Sequence, residues 1–184
     1  MEHATAQLIA GLFEHHDKSR FEITAIALNK DDGSAISLRM RDAFEHWLDA
    51  ELMTDAQIAE YIRGREIDVL VDLKGFTRDA RTGVLARRPA PVQVNYLGYP
   101  GTMGANFIDY IIADPIVAPP AHAADYSERI IRLPQTYQIN DRKRTIDETV
   151  PTRAEAGLPE QGFVFCCFNN NYKITPEFYA GCRS

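Results

Sequence analysis

Ile67-Asp68-Val69-Leu70-Val71-Asp72-Leu73 is the stretch on which the fold turns. It is short, rich in β-branched residues and nearly continuous in its apolar character. That pattern predicts a strand buried on both faces, as in a parallel sheet. Ahead of it, Thr54 opens a helix, with Gln57 placed to complete a capping box and Ile58 and Ile62 turned inward. After it, a short helix is predicted over 80–87, stopped by Pro89 and Pro91.

Further out, the same alternation continues. On the N-terminal side, Ala4 to His16 carries Leu8, Ile9, Leu12 and Phe13 as one helical stripe. Phe21 to Leu28 reads as a strand, and Asp31-Asp32-Gly33 as a turn. Ser34 can cap a helix that places Ile36, Met40, Phe44, Trp47 and Leu48 on one side. On the C-terminal side, strand-like runs occupy 92–97, 109–113, 128–133 and 163–168. Strands alternating with helices predict right-handed crossovers and an α/β, Rossmann-like, doubly wound parallel sheet. The expected organisation is a lobe over 1–139, a polar connection over 140–162, and the start of a second lobe over 163–184.

Composition narrows the function. With 20 basic against 26 acidic residues, the net charge of −6 argues against nucleic acid as a partner, because phosphate binding needs a basic face. No apolar run approaches the length of a membrane span. The N-terminus has no secretory signal pattern. Cys166, Cys167 and Cys182 are odd in number, and two are adjacent, which reads as a reduced cytoplasmic chain. No Cys/His spacing suits zinc; His15 and His16 close a helix instead.

Chemistry is expected in the loops at the carboxyl ends of the strands. Three stand out: 72–78, 97–105 and 168–176. The second holds Gly98, Gly101 and Gly104, which allow close backbone approach or a simple tight turn. It fits neither a dinucleotide fingerprint nor a P-loop. The third sets Asn169, Asn170, Asn171 and Lys173 ahead of a helix start near Thr175, which suits an anion or a solvated turn equally. His3 precedes the first helix, where the dipole favours a neutral imidazole. Asp72 and Asp68 could orient a ligand or cap a loop.

Taken together, these blocks resemble the catalytic region of the O-GlcNAc transferases, including bacterial SPINDLY-like members. The likeness is carried by His3-Ala4-Thr5, Asp31-Asp32-Gly33-Ser34, Val71 to Gly75, Arg88 to Gln93, Leu97 to Thr102, Asp109 to Ile112, Tyr126 to Glu128, Phe168 to Asn170, and Tyr172-Lys173. The resemblance implies a two-lobed, B-type glycosyltransferase, usually behind tetratricopeptide repeats. It implies transfer of N-acetylglucosamine from UDP-GlcNAc to Ser or Thr hydroxyls of acceptor proteins, with inversion and without a catalytic metal or cofactor. It assigns His3 to the sugar and acceptor site and Lys173 to the donor diphosphate. Asn170 falls near the nucleotide, and Pro100, Gly101 and Thr102 wall the sugar pocket. Asp72 and Thr77 join the substrate-binding set. Phe76 stands where many bacterial relatives carry histidine, so no proton-transfer role passes to that loop.

On this reading the chain is a partial catalytic region. The first residue lies almost inside a helix, and the last strand is followed by one helical start, so the isolated chain is expected to be inactive. Two alternatives fit the same scaffold: a protein O-fucosyltransferase using GDP-fucose, and a non-catalytic Rossmann-like module that binds a partner protein.

Overall fold

A computed structural model of the chain describes residues 4–144, 147–168 and 174–176. The chain forms two compact units, 1–144 and 145–184. The first contains all the regular elements described below.

Its order is α1 (Ala4–Glu14), β1 (Thr24–Ala27), α2 (Ala35–Ala43), β2 (His46–Asp49), α3 (Asp55–Gly64), β3 (Val69–Asp72), α4 (Thr82–Leu85), β4 (Val92–Tyr96), β5 (Tyr110–Ala113) and β6 (Arg129–Arg132). A 3-10 turn, Pro120–Asp125, precedes β6. All pairings are parallel. β1 pairs with β2, Thr24 opposite His46. A second sheet runs β3-β4-β5-β6. The α/β class with parallel strands is therefore as the sequence predicts.

The caps follow the sequence closely. Ser34 Oγ accepts the Ser37 amide, opening α2. Thr54 and Gln57 exchange bonds as a capping box at α3. Apolar stripes then choose the faces. On one side Ile58, Ala59 and Ile62 of α3 join Val84 and Ala90, with Ile26, Leu48 and Leu70 against them. On the other, Ile9 of α1 meets Tyr96 and Leu97, with Phe13, Met40, Leu73 and Ile112 around them. Ile9, Ile58, Ile62 and Ile111 are fully buried, each worth on the order of 2 kcal/mol.

Four expectations are corrected. The helix from Ser34 ends at Ala43, and His46–Asp49 is a strand. Its Trp47 and Leu48 fit a helical stripe by spacing, but pairing with β1 captures them. Phe44 instead caps the helix and stacks edge-on with Trp47 at 5.8 Å. The crossovers β4 to β5 and β5 to β6 contain no α-helix. Val69 and Val71 of β3 are 50% and 43% exposed, because among the described residues the β3 edge facing β1 has no strand beside it. Residues 163–168 form no strand. Among the described residues of the second unit no strand exists to pair with them, and a lone strand is not stable in water; Phe163 and Phe168 are exposed.

The helix-free crossovers are held by carboxylates. Asp109 accepts the Gln93 amide at 2.8 Å and the Arg88 guanidinium at 2.9 Å. Burial pushes its pKa up, but Arg88 and the Gln93 amide outweigh this and hold it below the usual range. Asp114 accepts the amides of Ile116, Val117 and Tyr137. The Val117 and Tyr137 amides are the main cause of its lowered pKa.

Arg39 ties the helical layer to the end of the unit. Its guanidinium forks onto Glu14 with two 2.7 Å bonds and onto Asp141 as well. Gly11 makes room: a Cβ there would sit 3.0 Å from the Asp141 carboxylate. The Arg39 bonds, with Lys143 helping at Glu14, lower both carboxyl pKa values to about 2. A depressed folded-state pKa stabilises above the unfolded value and loses that contribution as pH falls toward the folded value. Wild-type stability should therefore decline between about pH 4.5 and pH 2. Arg39→Met should cost about 2 kcal/mol at pH 7 and flatten that decline, as measured by urea unfolding across this range.

Candidate functional site

The carboxyl ends of β3 and β4 carry two loops that fit into one another. Asp72 ends β3 and folds the first loop back on itself. Its two oxygens accept the amides of Lys74 and Gly75, each at 3.0 Å. Gly75 has φ +55°, and a Cβ there would overlap Tyr99 of the second loop. Gly98 lies so close to the Leu73 carbonyl that a Cβ would overlap it. Only glycine meets these requirements. Phe76 and Tyr99 complete the contact edge to face, centroids 5.6 Å apart.

The second loop is shaped from beneath and from the side. Asn95, fully buried in β4, donates to the carbonyls of Tyr99 and Gly101. The Tyr126 hydroxyl donates to the Pro100 carbonyl at 3.3 Å. Glu128 is buried just ahead of β6 and accepts twice: the Thr102 hydroxyl at 2.7 Å and the Met103 amide at 2.6 Å. Thr102 Oγ1 in turn accepts the amides of Gly104 and Ser127. Beside this loop lies a shallow hollow of about 530 Å³, lined by Tyr99, Gly101, Thr102, Val117, His122 and Tyr126.

Among the residues expected to bind substrate, Asp72, Pro100, Gly101 and Thr102 thus fall on two interlocked loops. Thr77 is exposed at the tip of the first, its carbonyl accepting the Ala80 amide. His3, Asn170 and Lys173 lie outside the described residues. Sequence reasoning gave no role to Asn95 or Glu128. Their signal was available: each is a polar residue inside or beside an apolar strand run, where burial demands a partner.

Residues 1–150 match Glycosyl transferase family 41. The chain belongs to that family. It is 38% identical over 180 residues to the probable UDP-N-acetylglucosamine–peptide N-acetylglucosaminyltransferase SEC of Arabidopsis thaliana, covering 95% of this chain and 18% of the relative. It is 33% identical over 181 residues to the probable UDP-N-acetylglucosamine–peptide N-acetylglucosaminyltransferase SPINDLY of rice (Oryza sativa subsp. japonica), covering 95% and 19%. An O-GlcNAc transferase mutant of Thermobaculum terrenum superposes with a TM-score of 0.72 at 33% identity, covering 75% of this chain and 26% of that one. The chain thus spans about a fifth of the length of these curated relatives.

The Arg88-Pro89-Ala90-Pro91-Val92-Gln93 block has a structural explanation. Arg88, at φ +47°, and the Gln93 amide converge on Asp109 and fix the start of β4 to the start of β5. The block sets the sheet under the loops and does not face the hollow. Glu128→Ala should leave the buried Met103 amide without a partner, costing about 1–3 kcal/mol. Thermal unfolding should shift down by several degrees, and hydrogen exchange at Met103 should speed up while the α3 amides stay protected.

Proposed function

We propose that this chain forms part of the catalytic region of a protein O-GlcNAc transferase. The parent enzyme moves N-acetylglucosamine from UDP-GlcNAc to Ser or Thr hydroxyls of cytoplasmic proteins. The observation that carries this reading is the match of 95% of the chain to a peptide N-acetylglucosaminyltransferase. In the proposal, residues 1–139 belong to the first of two lobes. Tetratricopeptide repeats and most of the nucleotide-binding lobe belong to the rest of the parent.

The chemistry is a single displacement. An acceptor hydroxyl forms a bond to the anomeric carbon, the bond to the diphosphate oxygen breaks, the configuration inverts, and UDP leaves with the electron pair. Negative charge grows on the diphosphate, and Lys173 meets it. A cation at ~4 Å is worth on the order of 4 kcal/mol at an effective dielectric of 20. The hydroxyl gives up a proton, which a neutral His3 accepts or helps to orient. Asn170 contacts the nucleotide. Pro100, Gly101 and Thr102 wall the sugar pocket through the shape of their loop, since the Thr102 hydroxyl already donates to Glu128. Asp72 acts in the same way, through the loop it folds, and Thr77 contributes from its tip.

Lys173→Ala in the full-length parent should lower transfer by two orders of magnitude or more while leaving its circular dichroism and melting temperature unchanged. Activity within about threefold of wild type, a barrier change under ~1 kcal/mol, would remove the assigned role. The isolated 184-residue chain should neither turn over UDP-GlcNAc nor bind it tightly. Submicromolar binding by calorimetry would show that the donor site is contained within it.

A further inference from the structure

Leu97 follows the last residue of β4 in a conformation that leucine rarely adopts. Its φ is +70°, and the Gly98 amide donates to the Tyr96 carbonyl at 2.9 Å. A bond that spans one residue of positive φ is a γ-turn of the rare, strained hand. Glu66, Asp79 and Arg88 also have positive φ, but all three are exposed. Leu97 is only 8% exposed, so its strain sits inside the fold.

The turn accounts for a break in the alternation of β4. Gln93 and Asn95 point to one face: Gln93 donates to the Leu85 and Phe107 carbonyls, Asn95 to those of Tyr99 and Gly101. Tyr96 points to the other, where it clusters with Ile9 of α1. A regular strand would return Leu97 to the Asn95 side. Leu97 instead joins Ile9 and Tyr96, so two successive side chains are buried on the α1 face. The positive φ is what permits this. It leaves the Asn95 side to the 97–104 loop, whose carbonyls Asn95 holds.

Backbone strain persists only where the surroundings over-determine it, and two contacts do so here. The Leu97 side chain is fixed in its cluster, with Phe13, Leu73 and Ile112 packed against it. The next residue, Gly98, lies so close to the Leu73 carbonyl that a Cβ would overlap it. Relaxing φ would draw Leu97 out of the core or drive Gly98 into the loop after β3. The geometry points to Leu97 as a positioning residue: its strained turn, locked by the buried side chain, sets the direction in which 98–104 leaves the sheet. Through that direction it sets where Pro100, Gly101 and Thr102 stand, and whether the Met103 amide reaches Glu128. The effect on a sugar pocket rests on the proposed function; the control of the loop does not.

The test pairs substitutions that differ in their tolerance of positive φ. Leu97→Ala and Leu97→Gly both remove the anchor, but only glycine enters the turn without steric cost. In a strand alanine is ordinarily the more stable of the two. Here the order should reverse, with Leu97→Gly in the 184-residue chain melting at least about 3 °C above Leu97→Ala. Hydrogen exchange at Met103, taken relative to the α3 amides, should be at least about tenfold faster in Leu97→Ala than in Leu97→Gly. In the full-length parent, kcat/KM for UDP-GlcNAc should fall at least about tenfold in Leu97→Ala, and Leu97→Gly should recover about fivefold of that loss. A side chain that merely filled the core would give the opposite order throughout, since alanine keeps a methyl group.

Leu97→Ala melting at or above Leu97→Gly overturns the strained turn. Equal Met103 exchange in the two overturns its control of the loop. Equal transfer by the two variants, in a parent whose wild type is active, overturns the positioning role. A wild-type parent that does not transfer from UDP-GlcNAc removes the proposed function instead, while melting and exchange still decide whether Leu97 sets the loop. Should either chain fail to fold, Leu97→Ile and Leu97→Met carry the same comparison. Both keep an apolar side chain of similar size, and only the β-branched one resists positive φ. Leu97→Met should melt at least about 3 °C higher, and equal melting overturns the inference.

Discussion

A buried amide needs an acceptor, and a crossover without a helix cannot supply its own. That constraint governs the half of the sheet that bears the candidate site. β4 to β5 and β5 to β6 cross over through irregular chain and a single 3-10 turn. Three carboxylates at the ends of these crossovers accept backbone amides. Asp109 takes the Gln93 amide, Asp114 takes three amides from its own crossover and the segment beyond, and Glu128 takes Met103. Each is at the end of a strand, so the sheet itself positions the acceptor. The other half of the fold, with α1 to α3, uses helical crossovers.

This division suits the proposed chemistry. A sugar pocket requires walls that hold their shape when a polar ligand enters, because water competes for every loosely held backbone group. The loop 97–104 is fixed from below by Asn95 and from the side by Tyr126 and Glu128. Its conformation is therefore set before any ligand arrives, which lowers the ordering cost of binding.

Much of this was legible in the residues, and the exceptions have physical causes. The caps at Ser34 and Thr54 act locally, within one turn, so sequence spacing identifies them. The strand at His46–Asp49 depends on a partner some twenty positions earlier, and Trp47 and Leu48 satisfy a helical spacing equally well. Local pattern therefore cannot choose, and pairing decides. The apolar run around Val69 does form a strand, yet its burial depends on a neighbour that no local reading supplies. Asp72 and the 97–102 loop are marked in the sequence by motif and strand-end position. Asn95 and Glu128 were not given roles, because their partners are backbone groups in loops whose path only the folded chain reveals.

Gly75 and Gly98 press the two loops together so tightly that neither backbone has room for a methyl group. The two loops are consequently divided by tolerance to change. Substitution at either glycine displaces both loops at once, so the seam can drift only by paired replacement. Thr77, outside the seam, is exposed at the tip of the first loop and can be exchanged singly. Change in the first loop is thereby channelled to its tip, with the frame behind it left intact.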